Sequence, residues 1–159
     1  MRAQLSRLFQ HQAWADREIL AALNDSDPRL APATKLFGHI AAGESIWLSR
    51  ISGRATECAT PWQELSLELA RDLANSNARG FLEFVEDLTE DRLSEILDYR
   101  TSKGDPMSTP LGDILLHVAL HGSYHRGQIA AQLGALGLAT PSTDFVIFSR
   151  LNPPHLAPA

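Results

Sequence analysis

Apolar residues recur at helical spacing through four long stretches of the chain, and polar or proline-rich breaks separate them. From Arg2 to Leu23, Leu5, Leu8, Phe9, Ile19, Leu20 and Leu23 share one face, and Asn24-Asp25-Ser26-Asp27-Pro28 ends the pattern. A second helix is expected over about 33–51, closing at Ser52-Gly53. Thr60-Pro61-Trp62-Gln63 reads as the start of a third, with a capping box and a proline at the first helical position. That helix carries Leu65, Leu69, Leu73, Phe81, Phe84, Val85 and Leu88, and Gly80 weakens its middle. The period then changes. Leu97, Tyr99 and Thr101 alternate before the turn-forming Lys103-Gly104-Asp105-Pro106, so a small hairpin is expected. Pro110 opens a fourth helix that runs to Gly134 or Gly137, and Phe145 to Leu151 suits one or two further helical turns. These elements predict an all-α fold: an up-and-down four-helix bundle with a small hairpin or loop before the last long helix. One domain is expected over 1–151, with a flexible C-terminal tail over 152–159.

Three polar residues interrupt the fourth helix in a regular way. His117, His121 and His125 stand four apart, a spacing that returns each side chain to nearly the same face. At about 100° per residue, His125 lies within about 40° of the centre of the apolar face, His121 about 80° away and His117 about 120° away. The rise from His117 to His125 is about 12 Å, too long for both to reach one ion with bonds near 2 Å. His121 and His125 are therefore the better ligand pair, and His117 reads as a neighbour or a half-exposed residue. A bundle site draws ligands from more than one helix. His39, which shares a secondary stripe with Gly43 and Ile46, is the candidate on the second helix, although the pattern alone also fits a histidine bonded within the core. His11 falls off the apolar face of its helix, and His155 lies in the tail; neither is expected to bind metal.

Other polar residues fall at inward positions. Gln12 and Asp16 sit in the middle of the inner face of the first helix, where burial requires partners. They could line a polar cleft beside a metal or substrate, or make structural hydrogen bonds to neighbouring helices. Glu44 on the second helix could be a base, a carboxylate behind a ligand, or a partner for Arg50 or another cation. Arg126 and Gln128 are expected to act locally or at the cleft mouth, and Trp14 to mark packing or a subunit contact.

Composition narrows the functional classes. The chain has 159 residues, 44% hydrophobic and 21% charged, which suits a globular domain. A net charge of −5 with no basic run argues against nucleic acid as a partner. No apolar run is long enough to span a bilayer, and no secretory signal opens the sequence, so a cytoplasmic protein is the expectation. Cys58, the single cysteine, excludes an internal disulfide and a cysteine-based metal cage.

The motifs resemble the DinB/YfiT-like superfamily of small four-helix metal-binding proteins, and most closely its DinB family. The resemblance is carried by His11-Gln-Ala-Trp-Ala-Asp16, by His39 followed by Ile46-Trp47-Leu48, by the Tyr99–Pro110 region, by His121-Gly-Ser-Tyr-His-Arg-Gly-Gln128 and by Thr143-Asp144-Phe145. It implies that His39, His121 and His125 hold one divalent transition metal per chain, with zinc or nickel the first expectation and iron or copper also suited to nitrogen ligands. It further implies a homodimer, and a metal-dependent transferase that uses a low-molecular-weight thiol on a small-molecule substrate. Gln12, Asp16 and Glu44 would then orient or deprotonate the incoming group. The alternatives are a metal-dependent hydrolase, a non-catalytic metal- or ligand-binding stress protein, and an interaction module whose helices bury a partner.

Overall fold

The computed structural model describes residues 1–53, 58 and 60–153. The expected tail from residue 154 onward, including His155, lies outside the described residues. Four long helices, α1 (Arg2–Ala22), α2 (Ala31–Ser52), α3 (Leu67–Glu86) and α4 (Leu111–Ala135), form the bundle. A hairpin of β1 (Ile96–Arg100) and β2 (Pro106–Pro110) precedes α4, with Ile96 opposite Pro110 and Arg100 opposite Pro106. A seven-residue helix, α5 (Phe145–Leu151), closes the described chain against α1.

The bundle, its hairpin and the short last helix are as expected, but the third helix begins later. Thr60 to Gln63 forms a backbone turn, in which the Gln63 amide donates to the Thr60 carbonyl. The helix starts at Leu67, where the Ser66 hydroxyl accepts from the Leu69 amide. Two N-cap signals compete in this segment, and the later one starts the helix because Pro61 and Trp62 are engaged by α2.

The core explains the order of directions. One apolar cluster joins Ile19 and Leu20 of α1, Phe37 and Ile40 of α2, Leu67 and Ala70 of α3, and Ile129 and Leu133 of α4. A second joins Leu5 and Phe9, Leu48 and Ile51, Phe81 and Val85, and Leu111 and Ile114. Helices α2 and α3 both run from the first cluster to the second, while α1 and α4 run the other way. The directions are thus up, down, down, up, in place of the plain alternation expected from the sequence. The length of chain between Ser52 and Leu67 is enough for α3 to start at the same end of the bundle as α2. Helices α1 and α2 each pack beside α3 and α4.

Between the two apolar clusters lies a buried polar layer to which every long helix contributes: Gln12 and Asp16, Glu44, Asn77, and Arg126. Gln12 Nε2 donates to Glu44 Oε1 at 2.8 Å, across the bundle from α1 to α2. Arg126 Nη1 donates to Asp16 Oδ1 at 2.8 Å, and Asn77 Nδ2 to the Ala41 carbonyl at 2.8 Å. Gly122 leaves space for the guanidinium, since a Cβ there would stand 2.9 Å from Arg126 Nη1.

Candidate metal centre

The facing surfaces of the antiparallel pair α2 and α4 bring His39, His121 and His125 together. One nitrogen from each ring can be chosen so that all three lie within 4.8 Å of one another. Ring centroids are 5.0 Å apart for His39 and His121, 4.7 Å for His39 and His125, and 4.5 Å for His121 and His125. The rings meet edge to face rather than stacking. His39 Nε2 and His121 Nε2 are 3.2 Å apart. Two nitrogens bound tetrahedrally to one ion at 2.0–2.1 Å stand about 3.3 Å apart, so the spacing suits a shared ligand sphere.

Hydrogen bonds at the back of two rings set their tautomers. His39 Nδ1 lies 2.8 Å from the Pro61 carbonyl oxygen, which can only accept. His125 Nδ1 lies 2.8 Å from Gln128 Oε1, which likewise accepts. Each Nδ1 therefore carries the proton, and each Nε2 is left with its lone pair for the centre, the usual arrangement behind a metal-binding imidazole. Trp62 lies flat on His39, with centroids 3.7 Å apart and planes within 8°. Thus the turn that failed to become helix supplies both a hydrogen-bond acceptor and an aromatic wall. Gly43 passes beside His121, where an added Cβ would stand 3.6 Å from Cε1.

Electrostatics favour the neutral form of two of the rings. Burial lowers the pKa of His121, and the neighbouring His125 and His39 add to the effect, bringing it to about 4. Burial also lowers His39, although the bond to Pro61 opposes the change. Both rings are therefore uncharged at neutral pH, the form that binds metal.

The remaining expected residues take other positions. His117 is exposed, its ring 5.5 Å from that of His121 and 5.6 Å from Trp47, outside the triangle. His11 is buried, contrary to its place on the α1 wheel, because the Thr143–Phe148 segment covers that face. Its Nε2 donates to the Thr143 carbonyl at 2.7 Å, and the edges of Phe145 and Phe148 pack around it. Trp14 packs against Phe148 and His11. Glu44 pairs with Gln12 rather than Arg50, whose guanidinium lies over Trp47 and Tyr99 and donates to the Arg100 carbonyl. Arg126 is 1% exposed and so does not line a cleft mouth. Gln12, Asp16 and Glu44 are likewise buried, in the layer behind the histidines. Burial raises the Glu44 carboxyl well above the usual range, and the neighbouring Asp16 adds to the effect. Burial pushes Asp16 upward as well, against the opposing pull of Arg126.

The sequence did not assign the supporting roles of Gln128, Pro61 and Trp62. Gln128 stands three residues after His125 on one helix, a spacing that places two side chains together and could have been read. No local pattern links Pro61 or Trp62 to His39.

A helical bundle with three convergent imidazoles between two of its helices defines a class of small candidate metal-binding proteins. The DinB family model matches residues 1–156, and the chain belongs to that family. Protein DinB of Bacillus subtilis (strain 168) is 23% identical over 164 residues, an alignment covering 89% of this chain and 91% of the relative. The crystal structure of a DinB-like protein from Bacillus cereus ATCC 10987 matches with a TM-score of 0.64 at 22% identity, covering 84% of this chain and 91% of that one. This likeness supports the helical bundle. No helix among the described residues is long and apolar enough to cross a membrane.

Proposed function

We propose that the protein binds one divalent transition metal through His39, His121 and His125 and uses it to transfer a low-molecular-weight thiol to a small electrophile. The observation that carries this reading is the pair of Nδ1 hydrogen bonds, to Pro61 and Gln128, that turn two Nε2 lone pairs toward His121. Three protein ligands leave coordination positions for an exogenous group, as catalytic sites do and closed structural sites do not. When bound, such an ion supplies Lewis acidity that favours the thiolate over the thiol. Zinc and nickel suit the nitrogen donors, as do iron and copper.

The chain's own residues do the rest. Trp62, 53% exposed, and His117 offer ring faces beside the centre for an apolar electrophile. Gln12, Asp16 and Glu44 serve as positioning residues: their bonds tie α1 to α2 and α4 and hold His39 opposite His121. The site is expected to act in the cytoplasm on small molecules rather than on nucleic acid or membrane.

The test begins with elemental analysis of protein purified without a nickel column, beside His39→Ala and His121→Ala variants. About one metal per chain, lost in both variants, together with chelator-sensitive transfer of a thiol to a chromogenic electrophile, is the expected result. Metal without turnover would favour a carrier. Failure to bind zinc or nickel would end the metal-site reading.

A further inference from the structure

The face of α2 that bears His39 carries a cation further along. Arg50 stands eleven residues after His39, about three turns of helix, and so returns to the same side. Its side chain folds back toward the histidines, with the guanidinium carbon 4.6 Å from the centre of the Trp47 ring and 4.9 Å from that of Tyr99. Nη2 donates to the Arg100 carbonyl at 2.7 Å, which fixes the group between α2 and the hairpin.

This cation has no counter-charge. Acidic residues outnumber basic ones by 19 to 14, yet no carboxylate among the described residues pairs with Arg50. Its Nε and Nη1 likewise have no hydrogen-bond partner among the described residues. Burial lowers the Arg50 pKa, and Tyr99 opposes the change. A half-buried guanidinium held against two aromatic rings, with donors left over, is equipped to bind an anion. A line of rings joins it to the metal centre. The Trp47 ring lies 5.6 Å from that of His117, which lies 5.5 Å from that of His121.

We propose that Arg50 binds the anionic end of a substrate whose reacting end lies at the three histidines. The guanidinium stands at the level of Trp47, eight residues after His39 and so about 12 Å along the helix axis. A molecule that reaches both places needs a carboxylate about 10 Å from its reacting atom, the length of three residues of extended chain. A two-carbon thiol is too short to use the site. Trp47 and His117 flank the part of the substrate between its two ends. This subsite rests on the proposed metal-dependent transfer and narrows its substrates to elongated carboxylates. The carboxylate belongs either to the thiol or to the electrophile, and binding measurements separate the two.

The test is isothermal titration calorimetry of the full chain loaded with zinc. Zinc content is measured first, so that failure of the metal site is told apart from failure of the anion site. Glutathione, a tripeptide-sized thiol, is compared with its diethyl ester. Dihydroethacrynate, an unreactive analogue of a long electrophile, is compared with its methyl ester. In at least one pair the acid should bind about tenfold tighter than the ester, as a charge-assisted hydrogen bond would give. A preference for glutathione assigns the carboxylate to the thiol, and a preference for dihydroethacrynate assigns it to the electrophile. Arg50→Gln should cut the preference below about threefold, whereas Arg50→Lys, which keeps the charge, should retain more of it. Circular dichroism checks that both variants are folded. Equal binding of acid and ester in both pairs, a preference that survives Arg50→Gln, or equal loss in both variants would each overturn the proposal.

Discussion

At the scale of single residues, the centre depends on atoms that are not themselves ligands. Gln128 fixes the tautomer and direction of His125 through one 2.8 Å hydrogen bond. Gln128→Ala is expected to weaken metal binding about 10- to 100-fold, read by competition with a colorimetric chelator. Unchanged affinity would mean that packing alone orients the ring. Glu44 makes a different prediction. Its carboxyl ionises near 4.5 in an unfolded chain but is held protonated to higher pH in the fold. Above about 4.5 the unfolded state therefore binds fewer protons, and stability falls as pH rises toward the folded pKa. Glu44→Gln keeps the shape and the acceptor for Gln12 while removing that penalty. Thermal unfolding should show the variant more stable than native near pH 8, with the gap closing toward about pH 4. A variant that is less stable near pH 8 would show that Glu44 is ionised in the folded protein.

At the scale of elements, Gly80 reads in sequence as a flaw in α3, and the packing supplies its reason. The Leu48 side chain of α2 fills the space that a Cβ would need. Gly80→Ala should cost about 1–3 kcal/mol in urea unfolding despite alanine's better helix propensity, because the overpacking outweighs a gain of about 1 kcal/mol. Gly38→Ala meets only Leu65 Cβ at 3.7 Å and should be neutral or stabilising. If the two substitutions behave alike, the contact with Leu48 is not limiting. The contrast marks what was legible in the sequence. Helical periodicity, the hairpin's alternation and the four-residue histidine spacing are local, and they located all four long helices and the pair His121 and His125. His39 followed from the family resemblance, not from its ambiguous place on the wheel. The late start of α3 was hidden because Thr60 and Ser66 are both good caps, and the choice depends on contacts with His39 across 22 residues of chain. Burial of His11 was hidden for a similar reason: the covering segment is 132 residues away.

At the scale of the whole molecule, the polar layer and the metal centre solve one problem together. Two apolar clusters stacked end to end would allow the helices to slide by a turn, since hydrophobic contacts are not directional. The Gln12–Glu44 and Asp16–Arg126 bonds set the axial register between helices. With that register set, His39 of α2 falls opposite His121 and His125 of α4. An ion held there would join three parts of the chain, because His39 is also bonded to Pro61 in the crossover that lets α2 and α3 run parallel. Anything that binds only the folded state stabilises it by mass action, by about 2.7 kcal/mol at a hundredfold excess over the dissociation constant. For a chain of this size that corresponds to a Tm increase of about 5–10 °C. Added zinc or nickel should therefore raise Tm by that amount, and a chelator should reverse it. Neither should move His39→Ala. Hydrogen exchange should slow on metal addition in α2, in α4 and around Trp62, but change little at the hairpin. Protection confined to α4 would show that the ion is held by His121 and His125 without His39, and the crossover would then have no part in the centre.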